Sequence, residues 1–152
     1  MLACSEVDVI CKLLCKEINF NSHADKIDKY ANIILPKFPK IITFELYNLK
    51  KRCDIAPFKD WSINPKHIAP NWWYDYQKIK HSRHSEYKRA TQANAFYSMA
   101  GLITLNLYLY RLIANTPYAN PTPQPSLLKS NVFSPVLLCR ADNELPDFET
   151  TP

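Results

Sequence analysis

The sequence predicts a mainly α protein: a helical bundle with a small β or extended insertion and a Pro-rich C-terminal arm. Three observations lead there. Apolar residues recur at helical spacing through most of residues 2–114; a stretch near 41–58 breaks that period and is rich in Ile, Thr, Phe and Tyr; and seven of the twelve prolines fall after residue 114. The chain has 152 residues, enough for one domain and too few for two of good size. With 47% apolar and 22% charged residues it can bury a core, which excludes a chain disordered throughout. A domain is expected over 1–114 and an arm or tail over 115–152.

The elements follow in order. Val7, Ile10, Cys11, Leu14 and Ile18 share one face of a helix over 2–18. No capping residue precedes it, so its first N–H groups call for partners from another segment or another chain. A second helix is expected over 24–35, with Ile27, Tyr30, Ala31 and Ile34 inward and Pro36 and Pro39 ending it. The insertion near 41–58 reads as a hairpin with strands at 41–47 and 52–57. A loop follows, carrying Pro65 and Pro70, with Trp61 as its buried anchor. The third helix begins near Asn71, turns Trp72, Trp73, Tyr76 and Ile79 inward, and stops or bends at "KHSRHS". The longest helix is expected over 86–114, apolar on nearly every side in its second half and therefore central. It holds Gly101, the one glycine of the chain, which costs about 1 kcal/mol in a helix relative to alanine and is expected to allow the close approach of another helix or of a second subunit. Beyond it, Leu127, Leu128, Val132, Phe133, Val136 and Leu137 are expected to pack the arm on the body as far as about Leu138.

Five cysteines, at 4, 11, 15, 53 and 139, show no C-x2-C spacing and read as reduced, mostly core residues of a cytoplasmic protein. The start lacks the pattern of a signal peptide, and no apolar run is long enough for a membrane span, so no membrane partner is expected. A net charge of +5 permits nucleic-acid binding without demanding it. One glycine rules out a Gly-rich phosphate loop, and no carboxylate pair or nucleophile elbow is visible.

The chemistry worth weighing lies between residues 78 and 89, where Lys78, Lys80, His81, Arg83, His84, Lys88 and Arg89 crowd together. Lysine offers phosphate a point charge, arginine a fork, and histidine a proton near neutrality. Strand cleavage would draw its acid and base from His81 and His84 and its cation from Arg83, with Lys78, Lys80, Lys88 and Arg89 holding phosphate or RNA. On a continuous helix His81 and His84 would share a face. No companion Cys, Asp or Glu completes a metal site, and neither a metal nor another cofactor is expected. The plainer reading is a solvated basic helix end beside buried aromatics.

The stretch "PNWWYDYQKIKHSRHSEYKRATQANAFYSMAGLITLNLYLY", preceded by "SEVDVICKLLCKEI" and a "PFKDW" loop, resembles a bacterial protein group similar to the HEPN superfamily (higher eukaryotes and prokaryotes nucleotide-binding). The resemblance covers residues 2–113. It implies a helical, usually dimeric domain, often a metal-independent endoribonuclease of phage-defence or toxin–antitoxin systems, with RNA or nucleotide and a cognate protein as partners. The family motif is an Arg, commonly followed by Asn, with a His four to six residues on. Its His falls on His81, but the Arg position is occupied by Tyr76 and the next by Gln77. Two expectations therefore stand: an RNA-binding protein or endoribonuclease acting through residues 78–89, or a non-catalytic helical interaction and oligomerisation module.

Overall fold

The computed structural model describes residues 2–48, 53–114 and 128–129. The fold is mainly α. Helix α1 runs Leu2–Ile18, α2 Ile27–Lys37, α3 Asn71–His81, α4 Arg83–Glu86 and α5 Gln92–Ala114. Short 3-10 turns cover Pro39–Ile42 and Tyr87–Arg89. Strands β1 (Leu46–Asn48), β2 (Cys53–Ile55) and β3 (Leu128–Lys129) form an antiparallel sheet in the order β2-β1-β3. Among the described residues no helix is long and apolar enough to cross a membrane.

The core lies where α1 and α5 pack along one another, with α2 against α1 and α3 against α5. The inward stripe of α1 is Cys4, Val7, Cys11, Leu14 and Cys15. From α5 come Ala100, Thr104, Leu105, Leu107, Tyr108 and Leu109, which lie on more than one side of the helix and make it central. Beneath α3 the aromatic rings touch in series, Trp61 to Phe58 at 5.1 Å, Phe58 to Trp72 at 5.9 Å, Trp72 to Trp73 at 5.8 Å and Trp73 to Tyr76 at 5.5 Å. Such offset and edge-on pairs add to what their buried area contributes. Trp61 is buried as the loop anchor its sequence context predicts.

Gly101 has its reason here. A Cβ built on it would lie 2.8 Å from Cζ2 of Trp72 and 3.4 Å from Cζ of Phe58. The close approach is a side chain of α3 rather than a second backbone.

Several boundaries differ from the sequence reading. Helix α2 starts at Ile27 and continues through Pro36, because a proline in the last turn forfeits one hydrogen bond while Phe38 N–H still reaches Ile34 O at 2.7 Å. The strand expected from residue 41 starts at Leu46: Pro39 opens a 3-10 turn, and Ile41 N–H bonds back to Phe38 O at 3.1 Å. The long helix starts at Gln92 instead of 86. Thr91 caps it, its Oγ1 accepting Asn94 N–H at 3.1 Å, and the preceding residues form α4 and the second 3-10 turn. Of the cysteines, Cys4, Cys11 and Cys15 are buried free thiols, as expected, whereas Cys53 is free and exposed on β2. Cys139 and the expected arm lie outside the described residues, apart from the backbone pairing of Leu128–Lys129 with β1.

Candidate nucleic-acid interface

Helix α3 has two faces. Trp72, Trp73, Tyr76 and Ile79 are buried, as the sequence predicts. On the other side Asn71, Tyr74, Lys78 and His81 follow one another at helical spacing, and all are exposed. The chain breaks at Ser82, whose φ of −142° and ψ of 52° are not helical, and resumes as α4. His81 and His84 thus sit on two different helices, and the shared face that a continuous helix would give them is absent. Both are exposed, as are Arg83, Lys80 and Lys88. Across residues 71–91 five Lys and Arg face two carboxylates, so this segment carries +3 of the chain's +5.

Arg89 differs from its neighbours. Its guanidinium donates to Asp75 Oδ1 at 2.8 Å through Nη1 and to Glu86 through Nε. Asn94 donates from its amide to Asp75 Oδ2 at 2.8 Å and to the carbonyl of Arg89 at 2.9 Å. These bonds tie α3 to the 3-10 turn and to the start of α5, so Arg89 builds the junction. The Arg89 guanidinium holds the Glu86 carboxyl below its usual range, and Glu86 with Asp75 pushes Arg89 up.

Two tyrosines stand out of the core here. Tyr74 is 51% exposed and Tyr87 72%. Lys78 Nζ lies 5.2 Å from the Tyr74 ring centroid, and the Arg89 guanidinium carbon 5.9 Å from it. Lys80 Nζ lies 5.9 Å from the ring of Tyr76. The sequence reading missed both exposed tyrosines, although Tyr74 is out of phase with the four inward residues of its helix.

Two clefts adjoin the junction. One, of about 140 Å³, runs between α3 and α5 and is lined by Trp72, Tyr76, Ile79, Arg89, Thr91 and Asn94 among others. The other, of about 360 Å³, lies beyond Trp72 and Asn94 toward Lys59 and Asp60. His81 and His84 line neither. Tyr76 is 7% exposed and packs on Trp73. Among the described residues no three His, Cys, Asp or Glu side chains gather as metal ligands would.

Comparison with protein-family models, with curated proteins and with solved structures finds no match to this chain.

Proposed function

We propose that this is a HEPN-like RNA-binding protein that holds a single strand on the α3–α4 junction and does not cut it. The observation that carries the reading is the pairing of exposed Tyr74 and Tyr87 with Lys78, Lys80, His81 and Lys88 on one positively charged segment. Single-strand binders combine cations that follow the backbone with aromatic rings on which bases stack. Cleavage is the weaker reading. The motif arginine is replaced by a buried tyrosine, and the two histidines occupy separate helices on an open surface rather than a cleft. Free Cys4, Cys11, Cys15 and Cys53 suit a reducing, cytoplasmic compartment.

The test is RNA binding by fluorescence anisotropy over a range of salt, for the wild type and for a Lys78→Ala, Lys80→Ala, Lys88→Ala triple variant. On a single strand each neutralised phosphate contributes about 0.7 to the slope of log K against log salt. The variant should bind more weakly, with a slope shallower by about 2 if all three lysines meet phosphate. Equal binding by the two folded proteins would overturn the reading. Strand cleavage by the wild type, lost in His81→Ala, would restore the endoribonuclease.

A second reading has its own observation. Met99, Tyr110 and Ile113 lie on one side of α5 at 46%, 41% and 61% exposure, and Val9 and Leu13 of α1 are 46% and 45% exposed. A second copy of the chain would cover such a face, giving the homodimer that the HEPN resemblance implies. Sedimentation should then show a mass of twice 17.7 kDa, reduced to the monomer by Met99→Glu with Ile113→Glu.

A further inference from the structure

We propose that the smaller cleft between α3 and α5 receives one planar aromatic ring, a nucleobase, whose phosphate lies on the basic face outside. The inference deepens the RNA-binding reading and rests on it for the source of the ring; the cleft can be tested without it.

Size is the first argument. An apolar cavity of about 150 Å³ holds one benzene ring, and this cleft measures about 140 Å³. Its walls are the second. Trp72, Tyr76 and Ile79 of α3 give it an aromatic and aliphatic side. Trp72 is held in place by its own Nε1–H, which donates to Pro57 O at 2.7 Å. A wall fixed in this way is ready for stacking without reordering.

The polar groups are few and fixed, as they are in sites that recognise a ring by its edge. Asn94 has given both amide hydrogens, to Asp75 and to the Arg89 carbonyl. What it retains for a ligand is its acceptor oxygen, which suits an exocyclic amine or ring N–H. Thr91 and Ser98 add hydroxyls to the lining. The charge of Arg89 is answered by Asp75 and Glu86. Of the lysines on this segment, Lys80 is the one whose ammonium lies beside Tyr76, itself a wall of the cleft, and it is the cation assigned to the phosphate. A largely apolar slot with acceptors in its lining and a cation beside one of its wall residues fits a nucleotide better than an aliphatic chain or a free anion. Ala90 and Ala95, small and exposed, leave the slot open.

Equilibrium dialysis with AMP and with UMP tests the cleft directly, with ribose 5-phosphate as the ringless control. The variants are Ala95→Leu, which fills the slot from an exposed position, and Gln92→Leu, which adds bulk to the same helix outside it. Wild type and Gln92→Leu should bind mononucleotide alike. Ala95→Leu should bind it about 5- to 150-fold more weakly, the range that one stacked base commands. Should Ala95→Leu unfold, Ala90→Leu fills the slot from the preceding turn. Loss of binding in that folded variant supports the proposal. Mononucleotide binding that is absent in the wild type, matched by ribose 5-phosphate or kept in the filled variants overturns it.

A strand arm separates the two readings. The wild type should prefer a short RNA to an abasic strand with the same number of phosphates. Equal binding of both strands sinks the base capture and leaves the basic surface standing. Binding of neither strand, with mononucleotide still held, sinks the RNA surface and leaves the cleft.

Discussion

Gly101→Ala should destabilise the protein, although alanine is the better helix former. In an exposed helix the change would gain about 1 kcal/mol. Here the new methyl would stand 2.8 Å from Cζ2 and 3.2 Å from Cη2 of Trp72, where carbon atoms prefer about 3.5–4.0 Å. The ring must withdraw or the helix must shift. Withdrawal is resisted, because the indole N–H is bonded to Pro57 O at 2.7 Å and the ring is flanked by Phe58 and Trp73. Overpacking of a filled core costs about 1–3 kcal/mol, and a strained hydrogen bond adds about 1 kcal/mol. Set against the helix gain, the net loss is about 1–3 kcal/mol, or roughly 2–12 °C in Tm for a chain of this size. Urea unfolding followed by circular dichroism measures it. A double-mutant cycle with Trp72→Phe is the sharper check. Phenylalanine lacks the outer ring that meets residue 101, so in its background Gly101→Ala should be neutral or stabilising, a coupling of about 1–3 kcal/mol. A Gly101→Ala protein as stable as wild type, with additive behaviour in the cycle, would refute the contact as the reason for the glycine.

Two other outcomes follow from the same structure. Glu86 has its folded pKa lowered by Arg89, so its contribution is present above the ordinary 4.5 and is lost as pH falls below it. Glu86→Gln should lower Tm at neutral pH and flatten the fall in Tm below pH 4.5, more than Asp25→Asn in the exposed Asp25–Lys29 pair does. Burial raises the thiols of Cys4 and Cys11 and pushes Cys15 up to about 11, whereas Cys53 is exposed. Brief alkylation at pH 8 with peptide mapping should therefore mark Cys53 and spare Cys4, Cys11 and Cys15 until the chain unfolds. The buried thiols also make stability decline as pH rises from 9, where an unfolded thiol ionises, through the folded value near 11 for Cys15.

What could be read from the sequence was what periodicity reports. Helix α1 and the inward residues of α3 are visible because one apolar face repeats at 3.6 residues and the other face is polar. Periodicity does not register 3-10 turns, so the run from Tyr87 to Arg89 merged with the long helix that follows. The signal that would have separated them was Thr91, an N-cap type three residues before Asn94. The turn at Pro39–Ile42 was hidden for a related reason: its Ile-rich composition is that of a strand, and Pro39 at its start was the contrary sign. In the candidate site, Arg89 looked like one more phosphate ligand. Half of its true role was legible, since Glu86 stands three residues before it on the same turn. The other half, Asp75, is fourteen residues away and meets Arg89 only after the chain has reversed at Ser82.

That reversal decides what the aromatic and basic stretch can do. By tying Arg89 and Asn94 back to Asp75, it brings the start of α5 against the flank of α3 and leaves the small cleft between them. The ion pairs remove one cation from the surface, yet they fix the positions of Lys78, Lys80 and Tyr74 relative to that cleft. Trp72 then has two duties that pull on the same ring. One edge sits against the bare backbone of Gly101, and the ring also walls both clefts. A side chain at 101 would therefore alter the cleft from behind, so the glycine that the core requires also sets the shape of the site.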